Sequence, residues 1–400
     1  MKLLLTIFFA FGVISASVSA FPNWAFLELG NYFLLALLAL FIAYSIQNNT
    51  DVEKSIIITF CIAVALYLVA FLASLFAGLT SGLLDYHYLL SGFINRRFLN
   101  QFQSISFPIL LMAPIFLNSG KRAYLALSAL AAFWFMLMLV SDGRGVIIAS
   151  LIGLLLSCVL IPFFRMKWLL HSAFVISLGI LIFLGFEYLL SFNEVVNGNV
   201  LRGSSGGRIT IWLQIIETIK ENPILGIGPM HYAILPTPFT IAHPHNITLQ
   251  LMAEYGIPAA LALVTFISIS FIFWVKQQQA TSTQNQSVVP IALTASFITA
   301  VIHGHLSGVF VMPLSQLSFM VICGWMIGIS RTTDPKSVKV FPFKIRIMLI
   351  LISILFLSAM LTGSYSHLKS LALGEDLQAA NPNTEYPAAN ASRYWSGTYR

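Results

Sequence analysis

Ala242-His243-Pro244-His245-Asn246-Ile247-Thr248-Leu249-Gln250-Leu251-Met252-Ala253-Glu254-Tyr255-Gly256 sets a polar knot against an apolar run that otherwise crosses a membrane without interruption. Imidazole exchanges a proton near pH 7, so a histidine at a membrane surface points first to catalysis. At 100° per residue Gln250 lies about 40° and Glu254 about 80° from Asn246, which predicts one polar stripe on a helix opened by His245 and Asn246. His245 falls about 180° from Glu254 on that wheel, and Pro244 predicts an extended bend that turns the two histidine rings apart. Glu254, ionisable and deep in an apolar run, must face protein or an aqueous cavity, as a structural or substrate-facing group.

Outward from this stretch the chain is overwhelmingly apolar, with 58% hydrophobic and 9% charged residues in 400. That excludes a soluble domain and predicts an all-α polytopic membrane protein. Apolar runs near 3–21, 25–46, 55–78, 102–117, 123–141, 145–164, 168–190, 246–275, 288–304, 306–330 and 345–363 predict about 11 (10–12) transmembrane helices. The first run, ending in Ala16-Ser17-Val18-Ser19-Ala20, also resembles a signal peptide, but the next run follows so closely that a retained helix is expected. With the N-terminus inside, just over half of the 21 basic residues fall in cytoplasmic loops. Arg96, Arg97, Arg144, Arg202 and Arg208 fall outside against that rule, which suggests an anion there.

The predicted divisions are 1–190, N-terminal transmembrane helices; 191–245, one large periplasmic loop; 246–363, C-terminal transmembrane helices; and 364–400, a periplasmic tail. Within the loop, Ile209, Trp212, Ile216 and Ile219 recur at helical spacing, predicting an interfacial amphipathic helix capped by Ser204 or Ser205 and ended by Asn222-Pro223. Gly226-Ile227-Gly228-Pro229 then makes a turn.

Arg208, behind Gly206-Gly207 at a helix start, can join the helix dipole and free N–H groups in holding a phosphate; the alternative for the glycines is an ordinary turn. Ser141-Asp142-Gly143-Arg144-Gly145 is a second polar turn, in which Asp142 either neutralises Arg144 or leaves it for the same anion. Arg97 and Arg202 are further candidates for the anion, the alternative being interfacial anchoring. His243 with His245, and His303 with His305, have H-x-H spacing, yet too few carboxylates stand near for a zinc site, so no metal or other cofactor is expected, and His303-Gly304-His305 is expected as a polar loop. No P-loop, G-x-S-x-G elbow or cysteine pair is present, and nothing points to a nucleic-acid partner.

Gly207-Arg208 followed by Trp212, then Asn222-Pro223-Ile224-Leu225-Gly226-Ile227-Gly228, then His245-Asn246 with Gly256 beyond, resembles the O-antigen ligase and polymerase superfamily of bacterial inner-membrane glycan transferases. The turn at 141–145 resembles that family's Ser-Arg-Gly turn, with Asp142-Gly143 as a departure, and Ala259 departs where Gly, Thr or Tyr is commoner. The resemblance implies a GT-C-type fold and transfer of a glycan from undecaprenyl pyrophosphate, without metal, on the periplasmic face. It implies His245 as the base and Arg208 as the grip on the leaving pyrophosphate. Arg144, Arg97, Arg202, His243, Asn246 and Glu254 are the expected substrate-binding set. The acceptor is lipid A core, another glycan or a protein, and membrane lipids surround the whole. A lipid-linked glycan flippase would also need outer arginines, but it would carry cations through the bilayer depth, and this chain does not.

Overall fold

In hydrocarbon every backbone N–H and C=O must pair within the protein, which leaves a chain of long apolar runs only the helix or the closed barrel. The computed structural model describes residues 1–49, 51–81, 89–90, 95–118, 120–191, 207–235, 242–281 and 287–332, and among these the protein is helical with no strand. The helices are α1 (Lys2–Val18), α2 (Pro22–Asn48), α3 (Asp51–Ser81), α4 (Arg96–Leu117), α5 (Lys121–Val140), α6 (Arg144–Leu160), α7 (Arg165–Ser191), α8 (Arg208–Glu221), α9 (Ile247–Tyr255), α10 (Ile257–Thr281), α11 (Val289–Gly304) and α12 (Pro313–Thr332). A 3-10 turn, His231–Ile234, lies between α8 and α9.

Seven helices, α2, α3, α4, α5, α7, α10 and α12, are long and apolar enough to cross a membrane, and α1, α6 and α11 are shorter apolar helices. The chain is a multi-pass membrane protein on this ground. The expected run 345–363 and the tail 364–400 lie outside the described residues. The expected single crossing 246–275 is instead two helices, because Gly256 has φ 83°, outside the right-handed helical region, and divides α9 from α10.

The chain forms two compact units, whose described parts are 1–38 with 207–273 and 39–191 with 274–332. In the first, Phe8, Leu29, Leu251, Tyr255, Ala259 and Ala260 make a buried cluster, and the rings of Phe8 and Tyr255 stack with centroids 5.1 Å apart. Van der Waals packing of this kind, rather than a hydrophobic driving force, holds helices together where the solvent is lipid.

In the second unit α4 starts at Arg96, well before the expected run, and its polar residues Asn100, Gln101, Gln103, Ser104 and Ser106 are all buried. Gln101 Nε2 donates to Ser307 Oγ (3.0 Å) and Gln103 Nε2 to the Trp134 carbonyl (3.0 Å). Trp134 Nε1 donates to Ser106 Oγ (2.9 Å), and Ser296 Oγ to the Ile105 carbonyl (2.6 Å). Polar groups inside a membrane protein turn toward protein, so α4 is the inner helix of its unit.

Candidate active site

The histidine stretch belongs to the first unit. Asn246 caps α9, with φ −150° and its side-chain oxygen accepting from the Leu249 N–H (3.1 Å), so the helix begins at Ile247 and His245 stands before it. The helical-wheel angle of His245 therefore does not apply. His245 has φ 57°, in the left-handed region, and its backbone N–H donates to His243 Nδ1 (3.2 Å). The two rings meet edge to face with centroids 4.3 Å apart, instead of turning apart as Pro244 suggested. The reason is the positive φ, which closes the chain into a tight loop around the ring of His243. Because Nδ1 of His243 accepts, a neutral His243 carries its proton at Nε2. Both histidines are buried.

The amphipathic helix exists as α8, but with a different inner face from the expected one. Ile211, Ile215 and Ile219 are buried with Tyr232 and Ala253, while Ile209 and Leu213 are each 61% exposed. The observed face shares Ile219 with the expected one and is turned by about 80° from it, and packing against α9 decided the turn. Trp212, beside that inner face, donates from Nε1 to the Pro244 carbonyl (3.0 Å), tying α8 to the histidine loop. Arg208 is the first residue of α8, one turn before Trp212 on the same side, and Gly207 takes the cap position with φ 74° and no side-chain cap. The serines expected to cap the helix, and Arg202, lie outside the described residues. Asn222 ends α8, as its proline neighbour required.

Gly226 and Gly228 form more than a turn. The Ile227 N–H donates to the Ala253 carbonyl (2.8 Å), Gly228 N–H to Glu254 O (3.1 Å) and Ile257 N–H to Pro223 O (2.9 Å), so the segment clasps the end of α9. A Cβ on Gly226 would stand 2.5 Å from Ala253 O, and one on Gly256 would overlap the Ile224 carbonyl. Gly256→Ala is expected to cost at least ~2 kcal/mol through the positive φ and this overlap, lowering both Tm and the yield of extracted protein. An unchanged Tm would show that the clasp is dispensable.

Glu254 and Gln250 share a face as expected, and Gln250 Nε2 donates to Glu254 Oε2 (3.1 Å). Glu254 Oε1 accepts from the Tyr232 N–H (3.1 Å), and the Glu254 backbone carbonyl accepts from Ser15 Oγ (3.1 Å). Buried to 1% exposure, this carboxylate braces the 3-10 turn. His231 is a brace that spacing did not reveal. Its Nε2 accepts from the Phe21 N–H (2.9 Å), so its Nδ1 bears the proton and donates to the Pro229 carbonyl (2.8 Å). Only its place two residues after Pro229 could have drawn attention to it.

Arg144 and Arg97 belong to the second unit. Arg144 opens α6 and pairs with Asp142 (Nε to Oδ1, 3.2 Å), so Asp142, itself mostly buried, does neutralise the half-exposed arginine in part. Ser141 Oγ donates to Asn100 Oδ1 (2.7 Å), anchoring the turn on α4. Arg97 stands exposed in the first turn of α4, its N–H donating to the capping Asn95. His303-Gly304-His305 is the C-terminal end of α11 rather than a free loop, with His305 Nδ1 hydrogen-bonded to the Val301 carbonyl (2.8 Å) and His303 against Gly145. Among the described residues no three of His, Cys, Asp and Glu are gathered as metal ligands.

No curated protein and no solved structure matches the chain. A family model described as O-antigen ligase matches residues 127–264, a stretch that contains α8, the glycine clasp, both site histidines and Gly256. The match spans 138 of the 400 residues and supports the resemblance of this stretch to the O-antigen ligase and polymerase superfamily.

Proposed function

We propose that this protein is an O-antigen ligase-like glycosyltransferase that moves a glycan from undecaprenyl pyrophosphate to an acceptor hydroxyl on the periplasmic face of the bacterial inner membrane, with lipid A core as the acceptor. The observation that carries this reading is the Trp212–Pro244 hydrogen bond, which fixes the arginine-led start of α8 to the histidine loop. A transferase of this kind needs a base for the attacking hydroxyl and a cation for the departing diphosphate, held together on one rigid frame. His245 takes the acceptor proton as the hydroxyl oxygen bonds to the anomeric carbon. The bond from that carbon to the pyrophosphate oxygen breaks, and Arg208 with the first-turn N–H groups of α8 receives the charge.

His243 and Asn246 hold His245 in place, and Glu254 holds the clasp behind it. Arg144, Arg97 and Arg202 are kept as further candidates for holding an anion. The pyrophosphate ester is an activated donor, so this scheme draws on no nucleotide and no metal.

The acceptor is tested by extracting lipid-linked and surface glycans from a strain lacking this gene. A ligase leaves full-length polymer on the lipid carrier and unmodified lipid A core. Accumulation of single repeat units would instead identify a polymerase, and a glycan missing only from a protein would identify a protein oligosaccharyltransferase.

A further inference from the structure

Phe8, Gly12 and Ser15 follow one another at spacings of four and three along α1 and are all buried, so one face of this helix is turned into the first unit. The hydroxyls of α1 show how particular that contact is. Thr6 Oγ1 and Ser17 Oγ donate back to the carbonyls of Lys2 and Val13, four residues earlier (3.1 and 2.8 Å), the ordinary local use of a hydroxyl in a helix. Ser15 Oγ instead leaves its own helix and donates to the Glu254 carbonyl (3.1 Å), the same oxygen that accepts from the Gly228 N–H (3.1 Å). Three segments, α1, α9 and the glycine clasp, meet at that one atom.

After α1 the chain bends through Ser19 and Ala20, and a Cβ on Gly228 would overlap the Cβ of Ser19, so the bend lies directly on the clasp. Phe21, the residue before α2, gives its N–H to His231 Nε2 (2.9 Å), and the two rings have centroids 5.9 Å apart. His231 opens the 3-10 turn whose Tyr232 is buried with Ile211, Ile215 and Ile219 of α8. The hairpin of α1 and α2 is therefore bonded at one point to the helix that follows His245 and Asn246, and at another to the turn on which α8, headed by Arg208, packs.

We propose that Ser15 and His231 are positioning residues for glycan transfer, through which the α1–α2 hairpin holds the base and the pyrophosphate-binding arginine in one alignment; this rests on the transferase reading of the same site. Each acts on the backbone that carries His245 or Arg208, and a displacement of about an ångström in such a frame lowers a rate by up to about a hundredfold. The hairpin includes Ala16-Ser17-Val18-Ser19-Ala20, the stretch that resembles a cleavage site, so the active chain is expected to keep it.

The test is transfer by the full chain, purified in detergent, from lipid-linked donor to added acceptor, with kcat, donor KM and Tm measured for each variant. His231 gives the sharper comparison, since the amide of Gln can place an acceptor where Nε2 stands and that of Asn a donor where Nδ1 stands. His231→Gln keeps the bond to Phe21 and should stay within about twofold of the wild-type kcat, whereas His231→Asn keeps only the bond to the Pro229 carbonyl and should lose about tenfold with donor KM little changed. Ser15→Ala should lose about fivefold in kcat, again with little change in KM, and Ser15→Cys, of similar size but a weaker donor, should fall between it and the wild type. Phe8→Leu thins the stack on Tyr255 and leaves both bonds, so it should lower Tm and keep kcat within about twofold. The intact mass of the active protein should include the segment before Phe21. Asn as active as Gln at position 231, wild-type kcat in Ser15→Ala, a kcat that falls in step with Tm across all variants, or full activity in a chain that begins at Phe21 would overturn the proposal and leave the transferase reading in place. No transfer by the wild type to lipid A core, glycan or protein would overturn both.

Discussion

His245→Ala is expected to abolish glycan transfer, a loss of about 10²–10⁴-fold for a missing general base, while the lipid-linked donor still binds. The side chain sits on a frame that survives its removal, because Asn246 caps α9 and Trp212 holds the Pro244 carbonyl through contacts that do not involve the imidazole. His243→Ala should act differently. It removes the acceptor for the His245 N–H, and leaving a buried donor unpaired costs ~1–3 kcal/mol, a loss of about 5- to 150-fold, so activity should be reduced and measurable. His243→Asn supplies a side-chain oxygen that can accept from the N–H two residues on, and it should recover most of that loss. The assay is transfer in membranes from lipid-linked donor to added acceptor, with expression checked for each variant. An active His245→Ala beside an inactive His243→Ala would exchange the two roles, and full activity in both would remove the histidines from the chemistry.

Arg208→Ala is expected to lose nearly all transfer, and Arg208→Lys most of it, with folded protein still present in the membrane. A guanidinium can hold two phosphate oxygens at once, whereas an ammonium acts as a point charge, so restoring charge alone should restore little. The fold should tolerate both changes, since the buried face of α8 is Ile211, Ile215 and Ile219, and Trp212 makes the link to the histidine loop. Trp212→Phe is the informative companion, because it keeps an aromatic ring at this place and removes the Nε1 donor together with the pyrrole part of the indole. If the link aligns Arg208 with His245, the variant should lower the rate at saturating donor with little change in donor affinity. Wild-type transfer by Arg208→Ala would move the anion to another cation, with Arg144 first in line.

Much of this fold was legible because lipid leaves few options: ten of the apolar runs correspond to helices of the described residues, with one of them divided in two. What the runs could not show was backbone geometry set by distant partners. The positive φ at Gly256 follows from the clasp made by Ile224 and Ile227, some thirty residues earlier. Likewise, the meeting of His243 and His245 depends on a positive φ at His245, which histidine adopts more readily than most residues but only a few per cent of residues adopt at all. The inner face of α8 was placed about 80° off because apolar residues extend around more than one side of the helix, and only the partner helix fixes which of them are buried. Asn222-Pro223 and Asn246 were read correctly as a helix end and a helix start, since proline and asparagine act through bonds to their immediate neighbours.

The buried polar residues of α4 bear on how the protein is made. A segment with Asn100, Gln101, Gln103, Ser104 and Ser106 along its first half partitions poorly into lipid when it leaves the insertion machinery alone. Its amides find their partners on Trp134 of α5 and on Ser307, just after α11, and the second of these is synthesised some two hundred residues later. Between those two moments Gln101 must wait for Ser307 in water, at the machinery or against another chain. Biogenesis of this protein therefore has an unfinished stage that lasts until α11 arrives, and that stage is where a membrane chaperone would find something to hold.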